Sequence, residues 1–83
     1  MADRTIDTFS IKNIANQSIM IYIKEDTTSV IYDGNGHTLL KQNASLEVEQ
    51  NRVDLQQLIT LRKNKQIEYT PLKVRISESG SSL

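Results

Sequence analysis

The chain has 83 residues, ten Lys or Arg against ten Asp or Glu, one histidine and no cysteine. A chain of that length forms one domain and buries only about 60% of the surface its unfolded state exposes, so its own core stabilises it marginally. The missing cysteines exclude disulfides and thiolate metal sites, the lone His37 excludes a histidine cage, and a net charge of zero speaks against a general polyanion binder.

The first residues, 1–7, are polar apart from Ile6 and read as an extended tail. No apolar stretch of signal-peptide length follows them, and no run approaches a membrane span, so a cytosolic origin is expected. Phe9 and Ile11 then alternate with Ser10 and Lys12, and Ile19, Ile21 and Ile23 alternate with Met20 and Tyr22. Period two with β-branched residues predicts strands with one buried face each. Asn16-Gln17-Ser18 is turn chemistry and predicts a hairpin between these two strands. A third strand is expected at Val30–Tyr32, after the Asp26-Thr27-Thr28-Ser29 break. Asp33-Gly34-Asn35-Gly36 is the strongest turn in the chain, because glycine and asparagine tolerate positive φ.

Lys41-Gln42-Asn43 is a softer break before Leu46 and Val48, which alternate with Ser45, Glu47 and Glu49. The period then changes. Leu55, Leu58, Ile59 and Arg62 fall at helical spacing, which predicts a helix near 54–63. Asp54 is its N-cap, Gln57 stands where a capping box needs it, and Asn64 offers a left-handed stop. Ile67 and Tyr69 resume period two. Pro71 marks an edge or a break. Leu72, Val74 and Ile76 alternate with Lys73 and Arg75 as a last strand. Residues 77–83, rich in serine, read as a second tail. The fold class is therefore mainly β: a single domain over 1–83, an antiparallel sandwich or barrel of five to seven strands with one short helix.

Catalytic chemistry finds little to work with. His37 has Asp33 and Ser29 near it in sequence, a trio without a catalytic spacing, and an exposed loop histidine is the plainer reading. Glu47 and Glu49 alternate outward on a strand, not into an apolar cleft that would raise a pKa. A calcium loop counted from Asp33 would need glycine at Thr38 and an acid at Ala44, so it fails. No enzyme activity and no cofactor are expected.

Two binding readings remain. Residues 1–51 carry four Lys or Arg against seven Asp or Glu, and residues 52–75 carry six against two, so the chain is polarised. The basic stretch 62–75 suits a small nucleic-acid-binding β-barrel, with Tyr22 and Tyr32 as stacking surfaces. Protein contact explains more. If Ile19, Ile21 and Ile23 face the core, Met20 and Tyr22 face outward, and Val30–Tyr32 likewise has apolar residues on both faces. An outer apolar face on so small a domain marks an interface. The expected contact residues are Met20, Tyr22 and Tyr32 on an outer sheet face, the basic set Arg62, Lys63 and Lys65, and both tails.

The stretch from Ser10 to Pro71 resembles small virion proteins of tailed bacteriophages. The resemblance rests on Ile11-Lys12-Asn13-Ile14, Ile19–Ile23, Gly36–Leu40, Ala44-Ser45-Leu46-Glu47-Val48-Glu49 with Arg52-Val53, the helix Leu55–Leu61 and Ile67-Glu68-Tyr69. It covers about three quarters of the chain and implies a structural role in many copies at the head surface, neck or tail. It would place the chain in the virion, among other structural proteins or further copies of itself, as a capsid-decoration, neck or tail subunit made in the host cytoplasm. It assigns no binding residue.

Overall fold

The computed structural model describes residues 3–77. In chain order the elements are β1 (Asp3–Asn13), β2 (Ile19–Ile23), β3 (Gly36–Leu40), β4 (Ser45–Glu49), a 3₁₀ turn at Gln50–Arg52, α1 (Leu55–Lys63) and β5 (Ile67–Ser77). They form two antiparallel sheets, one ordered β4-β1-β5 and the other β2-β3. Phe9, Ile11, Val48 and Ile67 from the first sheet meet Ile19, Ile21, Ile23 and Leu40 from the second in one buried cluster, which Leu58 of α1 and Val53 complete. The architecture is the expected small sandwich with one short helix.

The helix starts and stops for local reasons. The Asp54 carboxylate accepts the Gln56 N–H, and Arg62 and Lys63 occupy the last turn, where the helix dipole favours cations. The left-handed stop falls on Lys65 (φ 60°) and not on Asn64 (φ −84°). Gln57 makes no capping box; its side chain is used elsewhere, as described below.

Several connections differ from the expectation. Asn16-Gln17-Ser18 does not close a hairpin, because β1 pairs with β4 and β5 and not with β2. Fully buried Asn13 explains why: its side-chain N–H groups donate to the carbonyls of Gln17 (2.8 Å) and Leu40 (2.9 Å), and its oxygen accepts the Ala15 N–H (2.8 Å). These bonds turn the chain out of one sheet and into the other. Residues 3–7, expected in a tail, are paired strand. β1 and β5 match over their full length, from Asp3↔Ser77 to Asn13↔Ile67, while β4 covers only Thr8–Lys12. The β1–β5 ribbon therefore runs past β4. Eleven strand residues span about 36 Å, which accounts for a molecule of 44 × 21 × 21 Å. The tail expected at 77–83 lies, from residue 78 onward, outside the described residues.

Pro71 causes no break: it sits inside β5, which is an edge strand. The apolar pattern changes face there. Ile67 points to the core, whereas Leu72 is 39% exposed and shares the opposite face with Val74, Ile76 and Ile6. Leu72, Val74 and Ile76 are thus not the core face predicted from their alternation. Projecting beyond β4, the ribbon has no second sheet beneath it.

Val30–Tyr32 is not a strand, and buried Arg52 is the reason. Arg52 is 2% exposed. Its Nε donates to the Lys24 carbonyl (2.9 Å), Nη1 to the Tyr32 carbonyl and the Ser29 hydroxyl (3.1 Å), and Nη2 to the Gly34 carbonyl (2.5 Å). The Tyr32 carbonyl is thereby turned toward the guanidinium and bonded outside any strand ladder. The Ser29 hydroxyl in turn donates to Glu49 Oε2 (2.6 Å), which also accepts the N–H groups of Val30 (2.9 Å) and Ile31 (3.1 Å). The Tyr32 ring lies 5.9 Å from the guanidinium carbon, within cation–π range, and packs over Gly34 so closely that a Cβ there would stand 2.8 Å from its oxygen. The loop over 26–35 is folded around Arg52 and Glu49 instead of being paired.

Burial alone would raise the Glu49 pKa, but the Ser29 hydroxyl and the N–H groups of Val30 and Ile31 outweigh it and hold the carboxyl below its ordinary 4.5. A folded-state pKa below the unfolded one gives stability that is complete above about pH 4.5 and is lost as pH falls through the folded value. Acid titration should therefore show a loss of stability beginning below about pH 4.5 that is shallower in Glu49→Gln; equal slopes in the two chains would remove Glu49 from the account. Replacing Arg52 with alanine leaves buried carbonyls without a donor and the Glu49 carboxylate without its cation, and should cost about 3–5 kcal/mol in urea unfolding. Lysine, a point charge without the planar fork, should not restore it.

Candidate functional site

The β2–β3 hairpin buries one face and offers the other to solvent. On the buried side Ile19, Ile21 and Ile23 are at most 7% exposed. On the outer side Met20 stands across from Leu39, and Tyr22 across from His37. Met20 and Leu39 are each 53% exposed and Tyr22 is 45% exposed. The Tyr22 and His37 rings lie 5.2 Å apart, tilted by 59°. Four side chains thus form a ridge with aliphatic and sulfur surface at one end and two rings with polar tips at the other. Methionine and aromatic side chains of this kind are enriched where proteins meet.

A helix side chain holds the ridge in place. Gln57 of α1 accepts the Tyr22 N–H at its Oε1 (2.9 Å) and donates from Nε2 to the Tyr22 carbonyl (3.3 Å). A primary amide carries one donor and one acceptor side by side, as a peptide does, so Gln57 acts on the β2 edge as one residue of a neighbouring strand would. α1 therefore packs its Leu58 into the core and closes one edge of the hairpin at the same time.

Of the residues expected at the interface, the structure brings Met20 and Tyr22 together. Tyr32 is not with them; it is half-buried under the Arg52 network and belongs to no sheet face. Arg62 lies over the Tyr69 ring, 4.8 Å from its centroid, and Lys63 and Lys65 are exposed at the C-terminal end of α1. Along the basic stretch, Lys73 is bonded to Asp7 (2.8 Å), so its charge is partly spent on the ribbon. His37 and Leu39 complete the ridge, and sequence reasoning did not place them there. Their signal was available in the alternation of Gly36–Leu40, but it becomes legible only once the register with β2 is fixed.

A second exposed feature lies on the ribbon. Ile6, with the loop residues Thr28, Ser29 and Val30 and the turn residues Gln50 and Asn51, lines an open pocket of about 340 Å³. Among the described residues no group of three or more His, Asp or Glu is placed to hold a metal ion, and no helix is long and apolar enough to cross a membrane. Comparison with family models, curated proteins and solved structures finds no match for this chain.

If the ridge lies outside the core, Met20→Ser combined with Leu39→Ser should leave the unfolding free energy within about 1 kcal/mol of the parent, as surface changes usually do. A loss of several kcal/mol in thermal or urea unfolding would assign both side chains to the packing of the fold.

Proposed function

We propose that this chain is a non-catalytic structural or adaptor subunit that works by docking the outer face of its β2–β3 hairpin onto other proteins of an assembly. One observation supports the reading above others: Met20, Tyr22, His37 and Leu39 form a continuous exposed ridge, with the Tyr22 main chain held at the β2 edge by Gln57. Aromatic side chains bind with little loss of rotamer freedom, the flexible Met20 can adapt to a partner's surface, and covering both removes apolar surface from water. The uneven charge of the two halves orients the subunit against its neighbours. The resemblance to virion proteins of tailed bacteriophages gives the assembly its class, a phage particle with the chain on its head, neck or tail. In the alternative reading the basic surface at 62–75 binds nucleic acid.

The test is incorporation. Purified particles should contain the parent chain in fixed ratio to the other structural proteins. Tyr22→Asp, folded by circular dichroism, should be retained at least about tenfold less, because docking would bury a charge at the centre of the contact. Equal retention of Tyr22→Asp, or absence of the parent chain from particles, removes this reading. Tight, steeply salt-dependent binding to random oligonucleotides would favour the alternative.

A further inference from the structure

Every open sheet has edges, and an unblunted edge invites another strand. The edges of this molecule are treated unequally. β5 carries Pro71 with Glu68, Lys73 and Arg75, and β4 carries Glu47 and Glu49 in five residues. On the outer edge of β2 the Gln57 amide takes both main-chain groups of Tyr22. β3 has none of these devices. Gly36-His37-Thr38-Leu39-Leu40 contains no Lys, Arg, Asp, Glu or Pro, and its register with β2 runs without a bulge.

The direction of its free groups follows from the Gln57 contact. The Tyr22 N–H and C=O point at Gln57, away from β3, so Tyr22↔His37 is a pair without mutual hydrogen bonds. Antiparallel pairs alternate, so Met20↔Leu39 is another. The main-chain groups of His37 and Leu39 therefore point away from β2, and among the described residues no backbone hydrogen bond is recorded for them.

We propose that the β3 edge pairs with the β3 edge of a second copy of this chain, antiparallel about a two-fold axis at Thr38. That axis sets His37 of each copy opposite Leu39 of the other. Both are the residues whose N–H and C=O point outward, so each such pair closes two main-chain bonds. Thr38 faces Thr38 as a pair without mutual bonds. No other centre in the strand places both outward-pointing residues in register. The charges at the strand ends agree: Asp33 precedes β3 and Lys41 follows it, so antiparallel pairing brings the acidic end of each strand to the basic end of the other. The two ridges join across the axis, with Leu39 of one copy beside His37 of the other. Two five-residue strands bury less than the ~1,200 Å² of a durable complex, so the pair is a weak contact that high local concentration fills.

The contact is independent of what the ridge docks onto, and the experiment separates the two. The chain has no cysteine, so Thr38→Cys introduces a single thiol. Across the proposed axis its Cα would lie about 4.5 Å from its mate, within disulfide range. Oxidised glutathione should therefore link Thr38→Cys into dimers at least about tenfold faster than Leu39→Cys, although Leu39 is the more exposed position. Sedimentation of the parent chain should shift from one copy toward two between about 10 µM and about 1 mM. Leu39→Pro removes an outward N–H while sparing the ladder to β2, and should sediment as one copy throughout. A parent chain that stays single at about 1 mM, or Leu39→Cys linking as fast as Thr38→Cys, overturns the proposal. Tyr22→Asp lies on β2, one strand away from the pairing edge, so it can abolish ridge docking and leave the Thr38 cross-link intact.

Discussion

The arrangement of this domain depends on one buried guanidinium. The loop between β2 and β3 is too long for a tight hairpin and has no strand partner, yet its carbonyls at Lys24, Tyr32 and Gly34 are drawn inward. Buried carbonyls without donors would each cost roughly 1–3 kcal/mol. Arginine alone among side chains offers five donors in a planar fork, and Arg52 uses that fork to gather the loop at one point. Glu49 holds the other side of the loop through two main-chain N–H groups and the Ser29 hydroxyl. The pair is separated by 4.0 Å and sits three residues apart across the end of β4 and the 3₁₀ turn, so one local turn fixes a segment 18 to 28 residues upstream. Without that anchor β3 would have no defined entry, and the ridge on β2 and β3 would lose its register.

The parts of this fold that were legible in the sequence are those set by local periodicity. Ile19, Ile21 and Ile23 announce a half-buried strand, and the side chains between them could only face out, which is why the exposure of Met20 and Tyr22 was legible. Asp54 and the Leu55–Leu58 spacing announce the helix. What could not be read depends on contacts between distant residues. Alternation at Leu72, Val74 and Ile76 gives a face but not which face, and the change at Pro71 follows from pairing with β1, some sixty residues earlier. Val30–Tyr32 has strand composition, but Arg52 takes its Tyr32 carbonyl and Glu49 takes its Val30 and Ile31 N–H groups, which holds it as a loop. Gln57 looks like a capping residue because the local rule fits it; the Tyr22 main chain, 35 residues away, offers it a better use.

Asn13 and Gln57 do similar work from opposite ends of the second sheet. Each puts a primary amide where a peptide group would stand in a longer strand, Asn13 against the Leu40 carbonyl and Gln57 against Tyr22. A domain with few strand pairs thereby satisfies main-chain groups that a larger sheet would pair with more backbone. Side chains can do this at isolated positions only, and the outward-pointing groups of His37 and Leu39 on β3 have no such amide.

The long β1–β5 ribbon sets how the subunit would carry a load. Asp3 and Ser77 lie side by side, so tension applied through the two ends acts across the strands and not along them. The cross-strand bonds of an antiparallel pair run perpendicular to the strands, so such a pull opens them one after another, like a zip. Among the described residues no third strand lies beyond β4 to share the strain. The ribbon is the compliant part of the molecule: it would yield first under stretching and re-form when released, while the sandwich behind it stays whole.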